Sequence, residues 1–134
     1  MPNSKAILIV DDEYIIIESL KIQLARILPQ EIIIECASSG QEARAIMDDF
    51  FDNGIDILLI ISDLNLDDCK GTDLLTYCSE KFPNATKIIL SGNSTSELIA
   101  SYAETNKLHA TINKPWFFED LKENLLRIPS LFSI

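Results

Sequence analysis

The stretch DILLIISDLN, residues 56–65, sets five consecutive apolar residues at 57–61 directly before Ser62 and Asp63. An unbroken apolar run of that length, closed by polar residues at both ends, predicts a strand over about 56–61 buried on both faces, as in a parallel sheet. Two more stretches share its form. AILIVDDE (6–13) ends its apolar run on Asp11 and Asp12, and ATINKP (110–115) ends on Lys114. If all three are strands of one parallel sheet, their charged residues gather at its carboxyl end, where open α/β sheets bind ligands.

The rest of the chain alternates between the two periods. Strands are expected at about 6–10, 31–36, 56–61, 86–90 and 108–112, and helices at about 13–28, 39–52, 72–81, 94–105 and 117–127. The first helix is amphipathic through Ile16, Leu20, Leu24, Ile27 and Leu28 and is stopped by Pro29. The second follows Ser38 and Ser39 and buries Ala43, Ile46, Met47 and Phe50; the third follows Gly71 with Thr72 as N-cap and ends before Pro83. Right-handed crossovers between parallel strands then give a three-layer α/β sandwich. The expectation is one domain over 1–134, with a core at about 5–127 and an apolar tail, 129–134, that folds back, meets a partner or continues into a longer chain.

Three carboxylates in one crevice repel one another, by roughly 4 kcal/mol per pair at about 4 Å and an effective dielectric near 20. A hard divalent cation, magnesium or manganese, is the natural counter-charge for oxygen ligands. Lys114 adds a positive charge, so cation and ammonium together prepare the crevice for an anion such as phosphoryl. Each residue also has a plainer role open to it: Asp11 and Asp12 as acids at a helix start, Asp63 as a turn cap, Lys-Pro as a strand ending in a turn.

Taken together, Asp11-Asp12, Asp63, Ser91 and Lys114-Pro115 resemble the signature of the receiver domain of two-component response regulators, in order and in spacing, over about 5–127. That resemblance implies a flavodoxin-like doubly wound fold, a five-stranded parallel sheet of order 2-1-3-4-5 with five helices. It implies Asp63 as phosphoacceptor, Lys114 and Ser91 as groups contacting the phosphoryl oxygens, and Mg2+ (or Mn2+) held by Asp11, Asp12, Asp63 and the Asn65 backbone carbonyl. It also implies a cis peptide before Pro115. The donor would be a sensor histidine kinase or histidine phosphotransfer protein, and the output a downstream protein or fused domain, with homodimer contacts expected on the face of helix four, strand five and helix five.

Two departures bear on mechanism. The family's usual Met-Pro after the acceptor is Leu66-Asp67 here, which adds charge to the loop. Thr111 stands where many receivers carry Tyr or Phe, so a ring cannot swing inward when Ser91 moves; either switching rests on the 91–96 loop and helix four, with Tyr102 contributing, or the coupling of phosphorylation to the surface is weaker than usual. Trp116, Phe117 and Phe118 are expected to pack on the sheet and helix four with one ring partly exposed.

A formal net charge of −10 argues against direct binding to nucleic acid, whose phosphates need basic surface. No apolar stretch is long enough for a membrane span, and the first ten residues do not read as a signal peptide, so a cytoplasmic location is expected. Cys36, Cys69 and Cys78 are an odd number without CxxC spacing and suggest reduced thiols, with no zinc site. The alternative to a phosphoacceptor is a receiver-like module that signals through contacts alone. A phosphohydrolase of the DxDxT kind is disfavoured by Asp63-Leu64-Asn65, and a flavodoxin by the acidic first loop.

Overall fold

The computed structural model describes residues 4–92 and 96–133, and the apolar runs form its central sheet. The strands are β1 (Lys5–Val10), β2 (Ile33–Ala37), β3 (Asp56–Asp63), β4 (Thr86–Ser91) and β5 (Ala110–Asn113). All neighbours pair in parallel, in the order β2-β1-β3-β4-β5. The helices are α1 (Tyr14–Ile27), α2 (Gly40–Asp52), α3 (Gly71–Lys81), α4 (Glu97–Thr105) and α5 (Phe118–Leu126). This is the flavodoxin-like doubly wound fold.

Period-two alternation splits the strands between two core layers. Ala6, Leu8, Val10 and Ile89 pack with α2, α3 and α4; Ile7, Ile9, Ile88, Leu90 and Ile112 pack with α1 and α5. In β3 the pairing with β1 slips between Ala6 and Ile7, whose partners are Ile57 and Leu59. Leu58 is the extra residue, and the slip resets the pleat so that Leu59 and Ile61 face α1 and α5. Carried two residues on, the same phase governs Asp63, as it governs Asp11 after Ile9 and Lys114 after Ile112.

Several helix details differ from the sequence expectation. In α1 the fully packed side chains are Ile17, Leu20 and Leu24, while Ile16 is only partly covered. Ser39, as expected, caps α2 by accepting the Glu42 N–H at 3.1 Å, and Glu42 Oε1 accepts the N–H of Ser38, the residue before the cap. Thr72 is not the cap of α3: the helix starts one residue earlier, at Gly71, whose N–H donates to the Leu64 carbonyl at 2.7 Å. A Cβ at Gly71 would run into the Asp63 carbonyl oxygen, so only glycine lets the chain pass this close behind the strand. Ser96 caps α4, which begins at Glu97; the expected start at 94 lies outside the described residues. His109 precedes β5 and does not lie within it.

Trp116 does not pack towards α4. It is partly buried in the α1–α5 layer, and its Nε1–H donates to Gln23 Oε1 on α1 at 2.7 Å. The tail folds back, with Pro129–Leu131 forming a 3-10 turn and Leu131 fully buried in that same layer. Residue 134 lies outside the described residues.

Candidate functional site

Where β1, β3 and β5 end, the shared pleat phase brings Asp11, Asp63 and Lys114 into contact. Lys114 Nζ lies 2.8 Å from Asp11 Oδ2, 3.2 Å from Asp63 Oδ1 and 3.7 Å from Glu13 Oε1. Asp12, beside Asp11, completes a group in which one carboxylate oxygen from each of Asp11, Asp12 and Asp63 lies within 4.8 Å of the others. The Lys114–Pro115 peptide bond is cis.

The backbone fixes the three strand ends relative to one another. The Leu64 N–H donates to the Leu90 carbonyl at 2.9 Å, the Lys114 N–H to the Ser91 carbonyl at 3.0 Å, and the Asp11 N–H to the Ala37 carbonyl at 3.1 Å. Ser91 is buried at the end of β4, in the pleat phase of Ile89, so it approaches the strand ends from the α3–α4 side.

The two oxygens of Asp11 are used differently. Oδ1 accepts the Glu13 N–H at 2.8 Å, which ties the carboxylate to the start of α1. Oδ2 is buried against the Lys114 ammonium at 2.8 Å. One ammonium does not balance three carboxylates, and a set of carboxylate oxygens within 4.8 Å of one another suits a hard divalent ion. Burial pushes the Asp63 carboxyl above the usual carboxylate range, the charge of Asp11 pushes the same way, and Lys114 pulls back only in part. For Lys114 burial acts to lower the pKa, but contact with Asp11 and then Asp63 outweighs it and the ammonium is held above its ordinary value. The site therefore carries more negative charge than it neutralises.

The loop after Asp63 is anchored by a residue that sequence reading passed over. Asp68 accepts the N–H groups of Gly40 at 2.8 Å and Gln41 at 2.9 Å, at the start of α2, and these bonds hold its carboxyl below the usual range. Leu66 is buried in the core beneath the loop, Asp67 is exposed, and Asn65 Oδ1 accepts from Lys70 Nζ at 2.7 Å. The signal was present as an acid 28 residues from a Ser-Ser-Gly helix start, but nothing local links the two.

The two remaining switch candidates lie apart from the acids. Thr111 is half-buried and borders a cavity of about 340 Å³ with Trp116, Asp120 and Asn124. Tyr102 is buried in the α3–α4 core layer, and its hydroxyl lies beside those of Thr76 and Ser79, which themselves donate to the Thr72 and Leu75 carbonyls of their own helix. All three cysteines are free, and burial pushes the Cys78 thiol up to about 12. Among the described residues no helix is long and apolar enough to cross a membrane.

Comparison with known proteins agrees with this geometry. Residues 7–126 match the family model of the response regulator receiver domain. The chain is 26% identical over 128 residues to the hydrogenase transcriptional regulatory protein HoxA of Bradyrhizobium diazoefficiens, covering 96% of this chain and 24% of that protein. It thus spans about a quarter of the length of that relative. Among solved structures, a CheY-like response regulator receiver domain protein from Methanospirillum hungatei is 28% identical with a TM-score of 0.76, covering 92% of this chain and 91% of the other. The signal receiver domain of an HD domain-containing protein from Pseudomonas fluorescens aligns with a TM-score of 0.78 at 24% identity, covering 96% of each chain, a likeness of fold.

Proposed function

The chain belongs to the response regulator receiver domain family, the phosphoacceptor domains of two-component signalling, and on that premise we propose that Asp63 takes a phosphoryl group from a phosphohistidine of a sensor kinase or phosphotransfer protein. The observation that carries this reading is the ammonium of Lys114 set between Asp11 and Asp63 in a cluster of three carboxylates.

In the proposed step an oxygen of Asp63 attacks phosphorus, the bond from phosphorus to the donor imidazole nitrogen breaks, and the imidazole leaves with its electron pair and is then protonated. Asp63 is the nucleophile of choice because its carboxylate contacts Lys114 and keeps some exposure, while Asp11 is fully buried and tied to α1 and Asp12 makes no ion pair with Lys114. Lys114 holds an oxygen of the incoming group as a charged donor, and Ser91 donates its hydroxyl to another. Mg2+ bound by Asp11, Asp12, Asp63 and the Asn65 carbonyl would supply charge compensation for the transferred oxygens. Asp12 is the partly exposed member and the freer to ligate directly, so its loss should weaken Mg2+ binding more than loss of Asp11.

The donor protein must bring its histidine to this crevice. Tyr14 and Ile15 at the start of α1 and Phe117 before α5 are 76%, 72% and 79% exposed, and they form the proposed apolar docking surface beside the site. The output passes to a downstream protein or a fused domain.

Incubating the protein with acetyl phosphate and Mg2+ and reading the intact mass tests this. One added phosphoryl that requires Mg2+ and is lost in Asp63→Asn is the expected result. Equal phosphorylation of that variant would overturn the assignment.

A further inference from the structure

At the opposite end of the sheet, the amino ends of β4 and β5 and the carboxyl end of α5 enclose a cavity of about 370 Å³. Its walls include Lys87, Lys107, His109 and Arg127, and no acidic residue. In a chain of 21 acids and 11 Lys and Arg residues, that local excess of positive charge runs against the composition. Four of the other eight cations are ion-paired: Lys5 with Asp56, Lys21 with Glu18, Lys81 with Asp48, and Lys114 with the acidic crevice. Among the described residues, neither the Lys107 nor the Arg127 side chain has a carboxylate within ion-pair distance or a hydrogen bond. Lys87 is buried without a carboxylate, its ammonium donating to the Ala85 carbonyl at 3.3 Å.

Arg127 alone would read as a cation complementing the end of α5. The convergence of Lys107 and His109 from a different element is not explained that way. His109 is held in place because its Nε2–H donates to the Asn124 carbonyl at 2.9 Å, on the last turn of α5. The volume is within the range of small-molecule sites, and its concave shape, shared by strand ends and a helix end, suits a compact ligand better than an extended one.

We propose that this cavity binds a small soluble anion, its phosphate or carboxylate group held by Lys107 and Arg127. The site is separate from the acidic crevice: Thr86 borders it at the start of β4, and Ser91 ends the same strand, about 17 Å away at the usual rise per residue.

Pyrophosphate and citrate serve as the phosphate and carboxylate probes, titrated without divalent metal at constant ionic strength and followed by amide chemical shifts. Saturable shifts at 84–87, 107–109 and 127–130 are expected with at least one probe, weakened about tenfold or more by Lys107→Ala and by Arg127→Ala. Both side chains are exposed, so the unliganded spectra of the variants should match the parent away from the substitution. Shifts that never saturate, that persist equally in both variants, or that centre on residues 63, 91 and 114 would overturn the proposal. Response to an oligoglutamate peptide but to neither probe would also overturn it, and would assign the surface to an acidic protein segment.

Discussion

Asp63 is an unfavourable charge that the fold retains. Its carboxyl is raised by burial and by Asp11, so between the ordinary value and the raised one the native state binds more protons than the unfolded state. Stability therefore falls as pH rises through that window, and the cost persists at neutral pH. Lys114 is a favourable charge with the same sign of pH dependence at the alkaline end: its raised pKa contributes stability that is lost as pH climbs through the raised value. Asp63→Asn should accordingly melt at a higher temperature than the parent at pH 7 in metal-free buffer, and the gain should close as pH drops below the ordinary carboxylate range. Thermal melts from pH 3 to 8 decide it, and a parent that is the more stable at pH 7 would contradict the charge balance. Tyr102 offers a second test. Its buried hydroxyl sits beside the Thr76 and Ser79 hydroxyls but without full hydrogen-bond geometry, so Tyr102→Phe should change stability by less than about 1 kcal/mol in urea unfolding. A larger loss would mean that the hydroxyl is firmly bonded to Thr76 or Ser79 in solution.

At the scale of elements, the readable parts of the sequence were those with strong local pattern. The apolar runs before Asp11, Asp63 and Lys114 announce buried strands because nothing polar interrupts them, and their common exit is what makes the site legible. Contacts between distant segments left no such trace. The slip of β3 at Leu58, the passage of Gly71 behind Asp63 and the tie from Asp68 to the start of α2 are tertiary facts, and Thr72 looked like a cap only because its hydroxyl side chain favours caps in general. Trp116 turned to α1 because Gln23 offers its indole an acceptor there. The Asp68 anchor has a measurable weight. Asp68→Ala removes acceptors from two backbone N–H groups at a helix start and should lower the urea unfolding midpoint, with larger amide shifts at 40–41 than elsewhere in α2.

For the whole molecule, the question is how a charge added at one end of the sheet reaches a partner. A ligand shifts a two-state equilibrium only by its differential affinity for the two states. Thr111 has no ring to fill or vacate the cavity beside it, and Trp116 is fastened to α1, so the surface of α5 has little to move. With a beryllofluoride mimic and Mg2+, amide shifts should be largest in the 91–96 loop, whose residues 93–95 lie outside the described residues, and at the start of α4. Largest shifts at 116–133 with a quiet 91–96 loop would contradict this. All of it presupposes that Asp63 is the residue that carries the phosphoryl group, and that is directly measurable. Protein treated with acetyl phosphate and Mg2+ is reduced with borohydride, which converts an aspartyl phosphate to homoserine, and the peptides are then sequenced by mass. Homoserine at position 63, absent when Mg2+ is withheld, is the predicted result; homoserine at 11 or 12, or none at any position after verified transfer, would contradict the account.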